Sequence, residues 1–173
     1  MKFFKWLQFT WDLQLLPDLQ AKLPAHYQIA PAQAEDEMAL RKIFSSSFLL
    51  DPAWNSTIGY VMGTIQSRLD TALTSEEYTC LTLRHGQRII GATVLHPHES
   101  ESEHFAIGPT LLIEYRNRGL GTLLLHQSLE WLREAGMNRV SAVSIDHAPV
   151  TKFLYPKFGA VMTPFERTIP LAA

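Results

Sequence analysis

The chain has 173 residues, of which 46% are hydrophobic and 18% are charged, and this balance excludes a disordered chain or a coiled coil. Its net charge of -2 argues against a nucleic-acid surface, because a surface that follows phosphates needs an excess of Lys and Arg. The single cysteine, Cys80, excludes a disulfide framework and suits a reducing cytoplasm.

The first residues, Met1-Lys2-Phe3-Phe4, resemble the start of a signal peptide. Polar residues soon interrupt the apolar run, and no small-residue cleavage site follows, so export is not expected. Elsewhere no apolar run approaches the roughly 18 residues that a membrane span needs. We therefore expect a soluble cytoplasmic protein that binds neither membranes nor nucleic acid.

Residues 7–15 alternate between large apolar and polar side chains, which predicts a strand with one buried face. We interpret residues 1–25 as an N-terminal arm and residues 26–173 as one domain. The apolar face of the arm needs a cover, which is either this domain or a second subunit. A homodimer is therefore an open alternative.

Two helices follow a short strand at residues 26–31. The first begins at the acids Glu35-Asp36-Glu37, which favour the positive end of a helix. The second spans about residues 55–73 and contains Gly59 and Gly63, each of which costs a helix about 1 kcal/mol relative to Ala. These glycines suggest either a close backbone contact or a mobile segment beside the substrate.

The second half of the chain predicts strands that alternate with helices. A hairpin joins strands at 78–83 and 88–96, and an irregular strand at 104–113 contains Gly108-Pro109. After it come a helix at 120–135, a strand at 139–145, a short helix at 150–158 and one or two closing strands at 160–169. This order predicts an α+β fold with a mixed central sheet flanked by helices.

A glycine-containing turn, Arg116-x-x-Gly119-x-Gly121, lies between the irregular strand and the helix from Leu120. The N-terminus of a helix offers unpaired N–H groups to phosphate oxygens, and glycine lets the main chain approach them closely. Arg118 adds positive charge, and Thr122 offers both an amide and a hydroxyl. The turn lacks the Gly-Lys-Ser/Thr ending of a nucleoside triphosphate loop, and the acidic partner of a dinucleotide site is missing.

This turn resembles the Gln/Arg-x-x-Gly-x-Gly/Ala hallmark of the GCN5-related N-acetyltransferase (GNAT) superfamily. Residues 153–160, Phe-Leu-Tyr-Pro-Lys-Phe-Gly-Ala, are similar to the Leu-Tyr-x-x-x-Gly-Phe motif of that superfamily. The resemblance covers roughly residues 26–170, and two motifs in the expected order are more specific than either alone. It implies a GNAT-like fold and the transfer of an acetyl group from acetyl-CoA to a primary amine of a small molecule or a protein.

The resemblance also implies positions for the cofactor. Backbone amides of the glycine turn would hold the CoA pyrophosphate beside Arg116, and the end of the preceding strand would pair with the pantetheine arm. The turn residues are Asn117, Arg118, Gly119, Leu120, Gly121 and Thr122, and the strand residues are Thr110, Leu111 and Leu112. No metal is expected, since the seven histidines show no paired spacing on one helix.

For catalysis, the resemblance assigns Tyr155 to the protonation of the departing thiolate. Glu103 and His104 are the candidates for the base that accepts the proton of the amine. The chain departs from the family pattern at Ala148 and Ala160, where many members carry Asn and Phe. These departures keep open the alternative of a non-catalytic acyl-CoA-binding or regulatory module.

Overall fold

The computed structural model describes residues 5–55 and 58–166, and in these ranges the chain forms seven strands and three α-helices. The strands are β1 (Trp6–Asp12), β2 (Tyr27–Pro31), β3 (Thr79–His85), β4 (Arg88–Leu95), β5 (Phe105–Leu111), β6 (Arg139–Ile145) and β7 (Val161–Phe165). The helices are α1 (Glu37–Leu49), α2 (Ile58–Thr74) and α3 (Leu120–Glu134). The predicted α+β class is confirmed.

The strands form two antiparallel sheets, in the orders β2-β3-β4-β5 and β6-β1-β7, where a single mixed sheet was predicted. The sheets meet where His104 N donates a hydrogen bond to Ser141 O at 2.8 Å. Beyond this point β5 and β6 are not paired neighbours. Pro109 in β5 has no N–H, and Gly108 has a φ of +88°, so β5 does not offer a regular ladder there.

Strand β1 lies in the centre of the second sheet, between β6 and β7. Its Phe9 and Trp11 side chains are 1% and 0% exposed, so the arm is covered by its own domain. The strand ends at Asp12, whose carboxylate accepts a hydrogen bond from Gln14 N and caps a short 3-10 turn. The predicted burial of Leu15 is wrong, because that turn leaves this side chain 77% exposed. The homodimer stays a prediction.

Helices cover the sheets from two sides, and each side has its own apolar core. One core contains Leu124, Leu129 and Leu132 of α3, and the other contains Leu40 of α1 and Ile65 of α2. Each large side chain contributes about 1.5 to 3 kcal/mol when it is fully buried. The cavity described below is bordered by α2 on one side and by the start of α3 on the other.

Two further predictions differ from the structure. The short helix predicted at 150–158 is a π-helical turn at Val150–Leu154, and the last predicted strand residues, 167–169, lie outside the described ranges. Around Gly59 and Gly63 no described heavy atom outside the adjacent part of their own helix lies within 4 Å of where a Cβ would stand. Of the two expectations for these glycines, the close backbone contact is therefore wrong, and the mobile segment stays a prediction. Within the described ranges no helix has the length and apolar character to cross a membrane.

Candidate functional site

A cavity of about 360 Å³ runs along β5 and opens between the two sheets. Residues 105–111 of β5 line it along its whole length, because β5 has no paired neighbour on this side. The glycine turn lies near the C-terminal end of β5, since the Arg116 side chain there donates to Leu111 O. Arg68 lies near its N-terminal end, where it donates to Ala106 O. The cavity is therefore long enough to hold an extended ligand.

The glycine turn leads directly into the N-terminus of α3, and an anion site needs such a helix N-terminus with unpaired N–H groups. Gly119 is the residue before the helix and has a left-handed φ of +78°, a conformation that glycine adopts without a steric penalty. The first amides of α3 have no carbonyl partner inside the helix. Asn117, Gly121 and Thr122 line the cavity together with Gly119. Backbone donors and the helix dipole thus favour a negative group at this end.

Gly121 allows a close contact that the sequence did not predict. A Cβ at this position would lie 3.2 Å from Leu111 Cδ1 and 3.3 Å from both Leu154 methyl carbons. The missing side chain therefore lets the start of α3 approach β5 and the π-helical turn. A bulky residue here would disturb this packing as well as any ligand.

The Arg116 guanidinium is held by the protein. Its Nη1 is 2.7 Å from Asp51 Oδ2, and its Nε donates to Leu111 O at 3.1 Å. Arg118 lies over the Tyr115 ring at 5.5 Å and is not among the described cavity-lining residues. The charge that Arg116 brings to the cavity is thus largely balanced by Asp51.

The predicted strand residues contribute unequally. Thr110 and Leu111 line the cavity, whereas Leu112 N donates to Ile90 O at 2.9 Å and its amide is occupied by the first sheet. Leu120 is 2% exposed and its side chain belongs to the core, so only its backbone can serve a ligand.

Lys157 is a candidate phosphate-binding residue that sequence reasoning missed. Its Nζ donates to Thr122 Oγ1 at 2.6 Å, and both residues line the cavity beside the start of α3. The available signal was its place two residues after Tyr155 in the second motif. An ammonium group here adds a mobile positive charge to the backbone donors of the turn.

The Tyr155 side chain is 4% exposed, and its hydroxyl donates to Gly108 O at 2.5 Å in the middle of β5. The ring packs against Phe9 and Trp11, with centroids 5.5 and 5.8 Å away. Burial, and secondly the charge of Glu103, raise the pKa of Tyr155. The hydroxyl therefore keeps its proton and acts as a hydrogen-bond donor.

Glu103 and Arg68 form an ion pair near the N-terminal end of β5. Arg68 Nη2 is 2.6 Å from Glu103 Oε2, and Arg68 Nη1 donates to Ala106 O at 2.7 Å. Arg68 and Tyr155 both line the cavity, whereas Glu103 is not among the described lining residues and lies next to it through its bond to Arg68. The sequence assigned no role to Arg68, because an arginine on an amphipathic helix is normally a surface residue.

His104 occupies a different position from the one expected of a base. Its side chain is buried; Nδ1 accepts from Ser141 N at 2.9 Å, and Nε2 is 3.1 Å from His98 O. Burial lowers the pKa of His104, so the ring is neutral, with Nδ1 as acceptor and Nε2 as donor. Both ring nitrogens are thus hydrogen-bonded within the protein, and neither is available to accept a proton from a substrate. The His104 side chain instead links the two sheets.

No set of three or more His, Cys, Asp or Glu side chains in residues 5–55 and 58–166 is arranged to hold a metal ion. Cys80 is partly buried, and burial raises the pKa of its thiol to about 12. The thiol is therefore protonated at physiological pH and is a poor nucleophile.

The fold and the cavity define an α+β protein with an elongated site that is positive at the glycine-turn end. The sequence model of the acetyltransferase (GNAT) family matches residues 22–160, and the chain belongs to this family. The match begins after β1, although β1 is the central strand of the second sheet. A search of the curated proteins finds no significant match.

Solved structures share the fold at low sequence identity. A GCN5-related N-acetyltransferase from Sphaerobacter thermophilus superposes with a TM-score of 0.62 at 16% identity, covering 93% of this chain and 49% of the other. A GCN5-related N-acetyltransferase from Kribbella flavida gives 0.59 at 15% identity, covering 92% and 55%. A conserved protein of unknown function from Staphylococcus epidermidis gives 0.60 at 15% identity, covering 93% and 59%. The chain thus spans about half the length of these structures.

Proposed function

We propose that the chain binds acetyl-CoA along β5 and transfers the acetyl group to a primary amine. The observation that carries this proposal is the position of the Tyr155 hydroxyl. It bonds Gly108 O in the middle of β5, between the glycine turn and the Arg68–Glu103 pair. A proton donor thus stands between a site for phosphates and a candidate base.

Acetyl-CoA would lie in the half of the cavity near the glycine turn. The pyrophosphate would accept hydrogen bonds from backbone amides at the start of α3 and from Lys157. The pantetheine arm would run beside Thr110 and Leu111, and the thioester would then lie near Tyr155, which lines the same cavity. The acceptor would enter the other half, beside Arg68 and Ile107.

The reaction would proceed by direct attack. The neutral amine nitrogen forms a bond to the thioester carbon, and its extra proton passes to Glu103, either directly or through water. The C–S bond then breaks, and the thiolate takes a proton from Tyr155, whose hydroxyl turns away from Gly108 O. Arg68 holds the Glu103 carboxylate in place during these steps. No covalent intermediate with the protein is needed.

The alternative is an acyl-CoA-binding module that has lost catalysis, and Ala148 and Ala160 motivate it. Ala148 is 0% exposed in the core, and Ala160 packs against the core around α3. Both small residues are therefore accommodated by packing, and the Tyr155 hydroxyl bonds Gly108 O. The two functions share the cofactor site and differ only in acetyl transfer.

The experiment combines calorimetry of acetyl-CoA binding with the release of CoA in the presence of primary amines. We expect binding and amine-dependent release, and we expect Glu103→Gln to lower kcat by roughly 100-fold or more. Glu101→Gln is the control, since the Glu101 side chain is 44% exposed on the same loop. Binding without release for every amine would support the non-catalytic module, and absence of binding would refute both functions.

A further inference from the structure

We infer that the acceptor is a monoamine with an apolar or aromatic body, and that the site discriminates against diamines and polyamines. This inference rests on the proposed acetyl transfer and concerns the half of the cavity near Arg68. It follows from the residues that line this half and from the charges already paired there.

One face of α2 forms the wall of the acceptor half. Tyr60, Val61, Thr64, Ile65 and Arg68 line the cavity at the spacing of a single helical face. Val61 and Ile65 are nearly buried and apolar, and Tyr60 adds an aromatic ring, so this wall offers apolar groups beside Thr64 and Arg68.

Aromatic side chains extend this apolar wall. The Phe48 and Trp54 rings lie 5.2 Å apart and both line the cavity, and Phe105 borders it from β5. An apolar or aromatic body of the acceptor would thus be removed from water along most of its length. Each buried methylene group improves binding by about fourfold.

The charges of the cavity do not suit a second ammonium group. Among the described lining residues Asp51 is the one acid, and it is paired with Arg116 at 2.7 Å. The described basic lining residues are Arg68, Arg116 and Lys157. Arg116 and Lys157 lie at the glycine-turn end, so Arg68 is the described basic lining residue of the acceptor half, and it is paired with Glu103. An additional cation would therefore enter this half without an uncommitted carboxylate in the described lining.

Glu103 is not among the described lining residues, and in the proposed reaction it serves the reacting nitrogen. It accepts one proton, and it is held by Arg68 at 2.6 Å. A second ammonium would compete with Arg68 for the same carboxylate and would lose part of its hydration on entry. The first amine is accepted because it reacts in its neutral form, whereas the second remains charged.

The test compares hexylamine with 1,6-diaminohexane, two acceptors of equal length that differ by one amine. We expect kcat/KM to favour hexylamine by at least about tenfold, after correction for the two reactive ends of the diamine. Phenethylamine should be accepted at least as well as hexylamine. Equal or better use of the diamine would overturn the inference while leaving acetyl transfer intact.

A second test introduces a carboxylate at one of two positions of α2 and compares the effect on the preference between the two amines. Thr64→Asp places a carboxylate in the lining, whereas Gln66→Asp places one on the exposed side of the same helix. We expect Thr64→Asp to shift the preference toward the diamine by about tenfold and Gln66→Asp to leave the ratio unchanged. An unchanged ratio in a folded Thr64→Asp protein would contradict the inference.

The failure of acetyl transfer can be told apart from the failure of this inference. If acetyl-CoA binds but no primary amine of the panel releases CoA, the proposed function fails. Calorimetric titration of the CoA-loaded protein with each amine then tests the site by itself. Tighter binding of hexylamine supports the charge argument, and equal or tighter binding of the diamine, or no binding of either, overturns it.

Discussion

The Tyr155 hydroxyl donates to the Gly108 carbonyl oxygen at 2.5 Å, across 47 positions of the chain. The bond joins the second sequence motif to the irregular centre of β5. It holds the phenol at the point where the two halves of the cavity meet. Because β5 is unpaired on this side, the Gly108 carbonyl oxygen can accept a hydrogen bond from a side chain. In the proposed reaction another donor would take the place of the Tyr155 hydroxyl.

Tyr155→Phe should lower kcat by roughly 10- to 1000-fold and leave acetyl-CoA affinity nearly unchanged, since the ring packing is kept. Tyr78→Phe is the control, because Tyr78 stacks on His96 away from the described cavity lining. Steady-state and single-turnover kinetics provide the measurement. An unchanged kcat with chemistry limiting would remove Tyr155 from the mechanism.

The raised pKa of Tyr155 determines the alkaline behaviour expected of the proposed acetyl transfer. The fold stabilises the protonated phenol, so its proton is retained up to at least about pH 10, the usual value for tyrosine. We expect kcat to show no decline on the alkaline side below this pH. A pH profile in which kcat falls near pH 8 in wild type but not in Tyr155→Phe would contradict this assignment.

Lys157→Gln should weaken acetyl-CoA binding by about fivefold and reduce the salt dependence of binding, because one phosphate-directed charge is lost. Lys152→Gln is a matched control, since Lys152 is exposed on the π-helical turn and is not among the described lining residues. Calorimetry at low and high salt measures both effects. Equal affinities for the two variants would exclude Lys157 from the phosphate site.

The buried, neutral His104 should make stability depend on pH. Its folded-state pKa is lowered, so the unfolded chain binds the proton more readily than the folded chain. The stability that the neutral His104 ring contributes to the folded state is therefore present above the pKa of the unfolded chain, about 6.5. It is lost as the pH falls toward the lower pKa of the folded state.

Urea unfolding at about pH 7.5 and about pH 5 should show less loss of stability for His104→Asn than for wild type. His147→Gln serves as the control, because the His147 side chain is 39% exposed. The same pH dependence in wild type and His104→Asn would show that the ring is not the titrating group.

Gly63→Ala should stabilise the protein by about 0.5 to 1 kcal/mol, since Ala favours the helix and no described atom outside the adjacent part of α2 lies within 4 Å of the new Cβ. Gly119→Ala should instead lower the free energy of unfolding by about 1 to 2 kcal/mol, because the φ of +78° is unfavourable for Ala. Thermal unfolding measures both. A destabilising Gly63→Ala would point to a contact of α2 outside the described residues.

The sequence by itself determined the features that depend on local patterns. Alternation predicted β1 and β6, helical spacing predicted α1, α2 and α3, and the glycine turn predicted the start of α3. Even the irregularity of β5 was visible, because Gly108-Pro109 cannot form a regular ladder. Each of these signals lies within a few consecutive residues.

Only the tertiary structure decided which distant residues meet. Arg68 pairs with Glu103 across 35 positions, and Lys157 reaches Thr122 across 35 positions, yet neither pair has a local pattern. No local pattern shows that the His104 ring bonds Ser141, or that β1 lies between β6 and β7. Periodicity shows which face of an element is buried, but the partner of that face depends on how the whole chain packs.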